Sequence, residues 1–212
     1  SEILKFKPDL IILAAYGQIL PKEILDIPKY GSINVHPSLL PRWRGPSPIQ
    51  SAILANDQKT GVSIIKMTEK VDKGPILGQK EIGLTGKETY LDLHNRLGEM
   101  GSNLLIEIIQ KWIKDEIKPE PQDDSKAVYS KIIKKEDGKI DWEKPAEEIE
   151  RKIRALNPWP GTYTIQQGKI LKILKVEISN GKLIIKEIQP EGKKPMSFED
   201  FLRGYPDFKH PS

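Results

Sequence analysis

"DLIILAAYG", Asp9–Gly17, is the stretch on which the fold turns. Its apolar run is unbroken and a glycine closes it. A strand with one wet face would alternate polar and apolar residues; a continuous run suits a central parallel strand buried on both faces. Downstream, "PKEILDIPKYG" reads as a short helical turn with proline near its start, leading to "SINVH", a second brief strand. "SPIQSAILAND" (Ser47–Asp57) has helical spacing, whereas "TGVSIIKMT" (Thr60–Thr68) is β-branched and strand-like. "GPILGQKEIGL" predicts another strand. In "TGKETYLDLHNRLGEMGSNLLIEIIQKWIKD", Leu93, Leu97, Met100, Leu104, Ile108 and Trp112 step along one helical face. Thr85 with Glu88 forms a capping-box pattern before that helix. Strands alternating with helices predict an α/β layer with a parallel or mixed sheet.

Beyond the long helix, "KPEPQDDSKAVYS" (Lys118–Ser130) has the composition of a linker. It divides the chain into residues 1–117, a connector at 118–130 and a second part at 131–212. That second part holds a helix opened by Pro145, "PAEEIERKIRAL", then "NPWPGTY", where Trp159 reads as a packing corner. Two lysine-bearing strands follow, "KILKILKVEI" and "KLIIKEI", joined by an Asn180–Gly181 turn. A last short helix is expected near "SFEDFLRG", which makes the second part a small β-rich domain with helical appendages.

Composition narrows the function classes. The chain has 212 residues, no cysteine and three histidines, so disulfides and thiolate metal sites are excluded and no metal is expected. No apolar run approaches the roughly 20 residues of a membrane helix, and no signal peptide is visible, so the expectation is a cytoplasmic protein away from membranes. Net charge is +4 but uneven: residues 126–212 carry 18 Lys+Arg against 13 Asp+Glu, and the rest 16 against 17. A basic second half suits a polyanion partner, and equally a lysine-rich solvated surface. The chain opens without methionine and reaches a buried-type strand within a few residues, reading as the middle of a domain.

The chemistry-bearing stretch is "INVHPSLLPRWRG", Ile33–Gly45. If "SINVH" is extended, Asn34 and His36 project from one face, because strand side chains alternate. Pro37 keeps His36 extended and helps turn the chain into a loop. An amide donor beside an imidazole is suited to a developing oxyanion. A nearby carboxylate would orient such a ring and favour its charged form, and Asp72 in "KVDKGP" is the candidate. Arg42, Trp43 and Arg44 form a basic loop with an aromatic plane. They either face a substrate or anchor the loop through local carboxylates.

Together "INVHPSLLPRWRG", "TGVSIIKM", "VDKGPIL", "YLDLHNRL", "KIDWEKPAEEIERKIRALNPWPGTYT" and "IQPEGKKPMSFEDFL" resemble the formyltransferases that use 10-formyltetrahydrofolate. The resemblance implies a Rossmann-like catalytic domain followed by a small, OB-like β-barrel. It places the catalytic Asn, His and Asp on Asn34, His36 and Asp72, and the folate contacts on Gln18, Ile19, Leu20, Ser38, Leu39, Leu40, Pro41 and Val71. It implies 10-formyltetrahydrofolate as formyl donor, no metal, methionine esterified to initiator tRNA as acceptor, and a monomer. With a tRNA acceptor expected, the basic loop makes Arg42, Trp43 and Arg44 candidates for the substrate side, and the basic second part offers Lys169, Lys172, Lys175, Lys193 and Lys194 as candidate backbone contacts. The family's first strands and helices have no counterpart here, so the expected catalytic domain is N-terminally truncated and inactive by itself. The stretch from Tyr163 to Ile188 is short for the family, which predicts an incomplete barrel. A formyltransferase for an amino-sugar nucleotide or other small amine, a folate-dependent hydrolase and a non-catalytic RNA-binding module stay open as alternatives.

Overall fold

The computed structural model of the protein describes residues 2–166, 168–205 and 208. The chain forms two compact units, residues 1–52, 57–85 and 91–132 in one and 53–56, 86–90 and 133–212 in the other. Up to residue 112 the order is α1 (Ile3–Phe6), β1 (Ile11–Ala14), α2 (Lys22–Leu25), β2 (Ser32–His36), α3 (Pro48–Leu54), β3 (Lys59–Lys66), β4 (Ile76–Gly83) and α4 (Tyr90–Trp112). The strands make one mixed sheet in the order β1-β2-β3-β4. β1 runs parallel to β2, with Ala14 opposite Val35. β2–β3 and β3–β4 are antiparallel, and His36 lies opposite Ser63.

The "DLIILAAY" run forms a strand, but not one buried on both faces. Among the described residues β1 pairs with β2 alone, and although Leu13 is buried, Ile12 is 46 % exposed. Apolar continuity reports what a strand is able to bury, not what covers it.

α4 fulfils the helical pattern, burying Leu93, Leu97, Met100, Leu104 and Ile108. Each such side chain contributes about 1.5–3 kcal/mol relative to exposure. Glycines let helix and sheet approach closely: a Cβ at Gly101 would lie 2.9 Å from Val35 Cγ1, and one at Gly78 would lie 2.5 Å from Ile108 Cδ1. Val35 therefore faces α4, and strand alternation turns Asn34 and His36 to the opposite face. The helix begins at Tyr90, later than the capping-box pattern implied. The Glu88 carboxylate instead accepts from the Gly86 and Lys87 amides, at 3.1 and 3.2 Å, in the preceding loop.

Residues 118–130 do not behave as a free connector. Glu120 and Ile76 exchange backbone hydrogen bonds at 2.8 and 2.9 Å. Further on, the Arg44 amide donates to Val128 O at 2.9 Å, and the Ser130 amide donates to Arg44 O at 2.7 Å. This segment is woven into the first unit, to which residues through 132 belong.

The second unit contains α5 (Ala146–Leu156), β5 (Thr162–Gln166), β6 (Lys169–Ser179), β7 (Lys182–Pro190), β8 (Met196–Ser197) and α6 (Phe198–Gly204). Its core joins Ile140, Ile149, Ile153, Leu171, Ile173, Ile185, Ile188 and Phe201. β6 and β7 form the predicted hairpin, with Asn180 and Gly181 at φ 51° and 74°, the left-handed pair that a type I′ turn requires. β5 and β8 had no strand signal in the sequence. The sheet is antiparallel in the order β5-β6-β7-β8, and among the described residues no pairing of β5 with β8 closes a barrel. Trp159 is 54 % exposed and is no packing corner.

Candidate active site

The site forms where β2 ends and three loops converge. His36 is 4 % exposed. Its Nε2 lies 2.9 Å from the Trp43 carbonyl, and its Nδ1 lies 3.6 Å from Asp72 Oδ1. At that distance Asp72 is an electrostatic neighbour rather than a hydrogen-bond partner. Both ring nitrogens thus face oxygens, Nε2 at hydrogen-bond distance and Nδ1 beyond it. Asp72 is fixed from its other oxygen, Oδ2, which accepts from the Gly45 amide at 2.7 Å. Asn34 is half-buried beside His36 on the same strand face, and among the described residues its carboxamide has no hydrogen-bond partner. An unspent amide, a histidine and a carboxylate meet here.

Trp43 and Asp72 both adopt left-handed backbone, φ 60° and 51°, a conformation that costs a non-glycine residue about 1–3 kcal/mol. Surrounding bonds hold them there. Asp57 accepts from Arg42 Nε and Nη2 at 2.8 and 2.5 Å and from Trp43 Nε1 at 2.7 Å. The Arg42 guanidinium also stacks over the Trp43 ring at 4.5 Å. Arg44 has no exposed surface. Its Nε and Nη2 donate to Gln122 Oε1 at 3.0 and 2.8 Å, and its Nη1 to Asp124 Oδ1 at 2.6 Å and to the Tyr129 hydroxyl at 3.2 Å. Burial pulls the Arg44 guanidinium down, but the bonds from Tyr129 and Asp124 outweigh it and hold it above its ordinary value. The same guanidinium keeps the Asp124 carboxyl below the usual carboxylate range.

Of the residues expected to contact substrates, the structure brings Asn34, His36 and Asp72 together and separates the others into distinct settings. Gln18, Ile19 and Leu20 follow the carboxyl end of β1, the same end of the parallel β1–β2 pair as His36, where open α/β sheets bind ligands. Ile19 is 71 % and Val71 52 % exposed, so both offer apolar surface. Ser38 and Leu40 are buried and internally bonded: Ser38 Oγ donates to Arg42 O, and Leu40 N donates to Ser63 Oγ at 3.0 Å. They shape the loop and present no side-chain surface to a ligand, while Leu39 and Pro41 keep part of theirs. Arg42 stays exposed but is paired with Asp57; Arg44 is buried, with its donors spent on Gln122, Asp124 and Tyr129. A groove of about 420 Å³ runs beside Leu39, Arg42, Trp43, Thr60 and Gln79, outside the Asn34–His36–Asp72 cluster.

Lys169, Lys172, Lys175, Lys193 and Lys194 are all exposed. They do not form one stripe. Leu171 and Ile173 turn into the core, so strand alternation puts Lys169 and Lys172 on opposite faces of β6. His94 lies exposed on α4, and His210 falls outside the described residues.

Sequence reasoning missed Asp57, Ser63, Gln79, Gln122 and Tyr129. Gln79 donates to Leu40 O at 2.9 Å and to Ser63 Oγ at 2.7 Å, while Ser63 Oγ donates to Ser38 O at 2.6 Å. Only the polar positions inside two apolar strands could have hinted at Ser63 and Gln79. Nothing local marks Gln122.

A strand-end amide–histidine pair with a facing carboxylate, on a mixed α/β sheet followed by an antiparallel β unit, is equipment for group transfer through an oxyanion. Comparison with known proteins names the class: the Formyl transferase model matches residues 1–109, and the Formyl transferase, C-terminal domain, matches 132–183 and 176–206. The second match breaks within the β6–β7 hairpin. The chain is 44 % identical to methionyl-tRNA formyltransferase of Bacillus velezensis, covering 96 % of this chain and 72 % of that protein. The Myxococcus xanthus enzyme of the same name is 39 % identical over 97 % of this chain and 73 % of its own length. The chain belongs to the methionyl-tRNA formyltransferase family. Among solved structures, methionyl-tRNA formyltransferase from Clostridium thermocellum superposes with a TM-score of 0.70 at 23 % identity, covering 89 % of this chain and 80 % of that one. HypX from Aquifex aeolicus in complex with tetrahydrofolic acid gives 0.74 at 18 % identity, covering 93 % and 39 %. These two likenesses speak for the Rossmann-like formyltransferase fold.

Proposed function

We propose that the protein transfers the formyl group of 10-formyltetrahydrofolate to the α-amine of methionine carried on initiator tRNA, in the cytoplasm, as a step of translation initiation. The observation that carries this reading is the 44 % identity across nearly the whole chain, with the Asn34–His36–Asp72 cluster assembled. The exposed Ile19 and Val71 supply apolar surface for the donor's pterin, at the sheet end where Asn34 and His36 point.

The mechanism follows from what each group can donate. The neutral α-amine attacks the formyl carbon, and negative charge gathers on the former formyl oxygen. Asn34, whose amide is uncommitted, donates to that oxygen without first giving up a partner. His36 must trade its bond to the Trp43 carbonyl for one to the oxyanion. The exchange is favourable because charge-assisted hydrogen bonds are about twice as strong as neutral ones. Asp72 stabilises the ring's charge during the trade and is placed to help move the amine's proton toward the leaving N10.

Incubation with 10-formyltetrahydrofolate and charged initiator tRNA should yield formylmethionyl-tRNA in preference to formylated amino-sugar nucleotides. Formate release that needs no acceptor would mark a hydrolase instead. Binding of tRNA without any transfer would leave only an RNA-binding module.

A further inference from the structure

The segment after α4 does more than join two units, and one side chain in it reaches the catalytic turn. Gln122 has two distinguishable ends. Arg44 carries only donors, and two of them converge on Gln122 Oε1 at 3.0 and 2.8 Å, which fixes the oxygen end. The amide nitrogen is thereby turned toward the turn that bears Asp72. It donates to Asp72 O at 2.8 Å and to Gly74 O at 2.7 Å. That turn is costly to hold: Asp72 is left-handed at φ 51°, and a Cβ at Gly74 would lie 1.7 Å from Lys66 O. The Asp72 carboxylate is tied separately, by the amide of Gly45, the residue after Arg44. The backbone and the side chain of Asp72 are therefore held by two arms that meet at Arg44.

We infer that Gln122 is a positioning residue for Asp72. With its orientation set by Arg44, it locks the left-handed turn that presents the carboxylate to His36. The inference rests on the proposed role of Asp72 in formyl transfer. The competing account is that Gln122 merely fastens its segment to the sheet. The two differ in what happens once Asp72 is disabled.

Gln122→Met keeps length and bulk and removes both donors. It should lower kcat about 10- to 100-fold, as misplacement of a reacting group by about 1 Å does, with KM for donor and tRNA unchanged. On an Asp72→Asn background the same change should produce no further loss, since neighbours acting through one group are not additive. Wild-type kcat in Gln122→Met, or an equal fold-loss on both backgrounds, overturns the inference. Should Gln122→Met fail to fold, Gln122→Glu retains the Arg44 contact and replaces the two donated bonds by a carboxylate oxygen set against the Asp72 and Gly74 carbonyls. It should lose kcat similarly, and full kcat in that variant overturns the inference. The Gly45 amide resonance, read without substrates, separates this idea from the transfer reaction itself. It should move in either variant; if it stays fixed the inference fails even where wild-type transfer is measured, and wild-type inactivity with a moved resonance counts against the reaction alone.

Discussion

At the scale of single residues, the uncommitted carboxamide of Asn34 is the most informative feature of the site. Its polar atoms are not sealed off from solvent and bind no other described residue, so a ligand can take them up without breaking a bond inside the protein. Asn34→Ala should reduce kcat for formyl transfer about 100- to 1000-fold, the usual effect of deleting one oxyanion donor, while thermal unfolding stays near wild type. A turnover number within error of wild type would remove Asn34 from the mechanism. The Asn34–His36 pair was legible because strand alternation acts over two residues and needs no partner. Arg44 was not: an arginine in a loop reads as available, and only Gln122 and Asp124, roughly eighty positions away, reveal it as buried and spent. Asp57 was equally silent, since its acceptance from Arg42 and Trp43 spans fourteen or fifteen residues of loop and helix.

At the scale of elements, the platform under the catalytic loop is the β3–β4 pair. Leu39 of the loop presses onto β3 at Gly61, where an added Cβ would sit 2.1 Å from Lys80 O and 2.6 Å from Leu39 Cδ2. Gly61→Ala must therefore part the strands or lift the loop. It should cost about 3 kcal/mol or more in urea unfolding, the upper range for overpacking. Gly83→Ala, at the end of the same sheet with nothing within 4 Å of the new Cβ, should change stability by less than about 0.5 kcal/mol. Equal effects at both sites would mean that close approach at Gly61 is unimportant. Elements with strong periodicity, α4 and the β6–β7 hairpin above all, could be read from the sequence. β5 could not, because "GTYTIQ" is too short and too polar to signal a strand until β6 pairs with it. Residues 118–130 have linker composition because proline, aspartate and serine serve turns as readily as they serve flexible chain.

At the scale of the molecule, charge divides the labour. In the first unit the two arginines of the loop are paired, Arg42 with Asp57 and Arg44 with Asp124. The second unit carries the surplus, and the lysines at 169, 172, 175, 193 and 194 are exposed. They spread over both faces of the sheet and the turn after β7, so a single polyanion need not engage all of them. Lys193 and Lys194 are adjacent on that turn and form the most local cluster, with the Lys193 ammonium also 5.3 Å from the Tyr205 ring centre. Replacing both by glutamate should weaken tRNA binding and reduce the slope of log affinity against log salt. Loss of two phosphate contacts corresponds to a slope change of about 1.4–1.8. Formyl transfer at saturating tRNA should keep its kcat, because neither lysine belongs to the catalytic unit. An unchanged slope at low salt would assign Lys193 and Lys194 to solvation and remove them from the tRNA contacts.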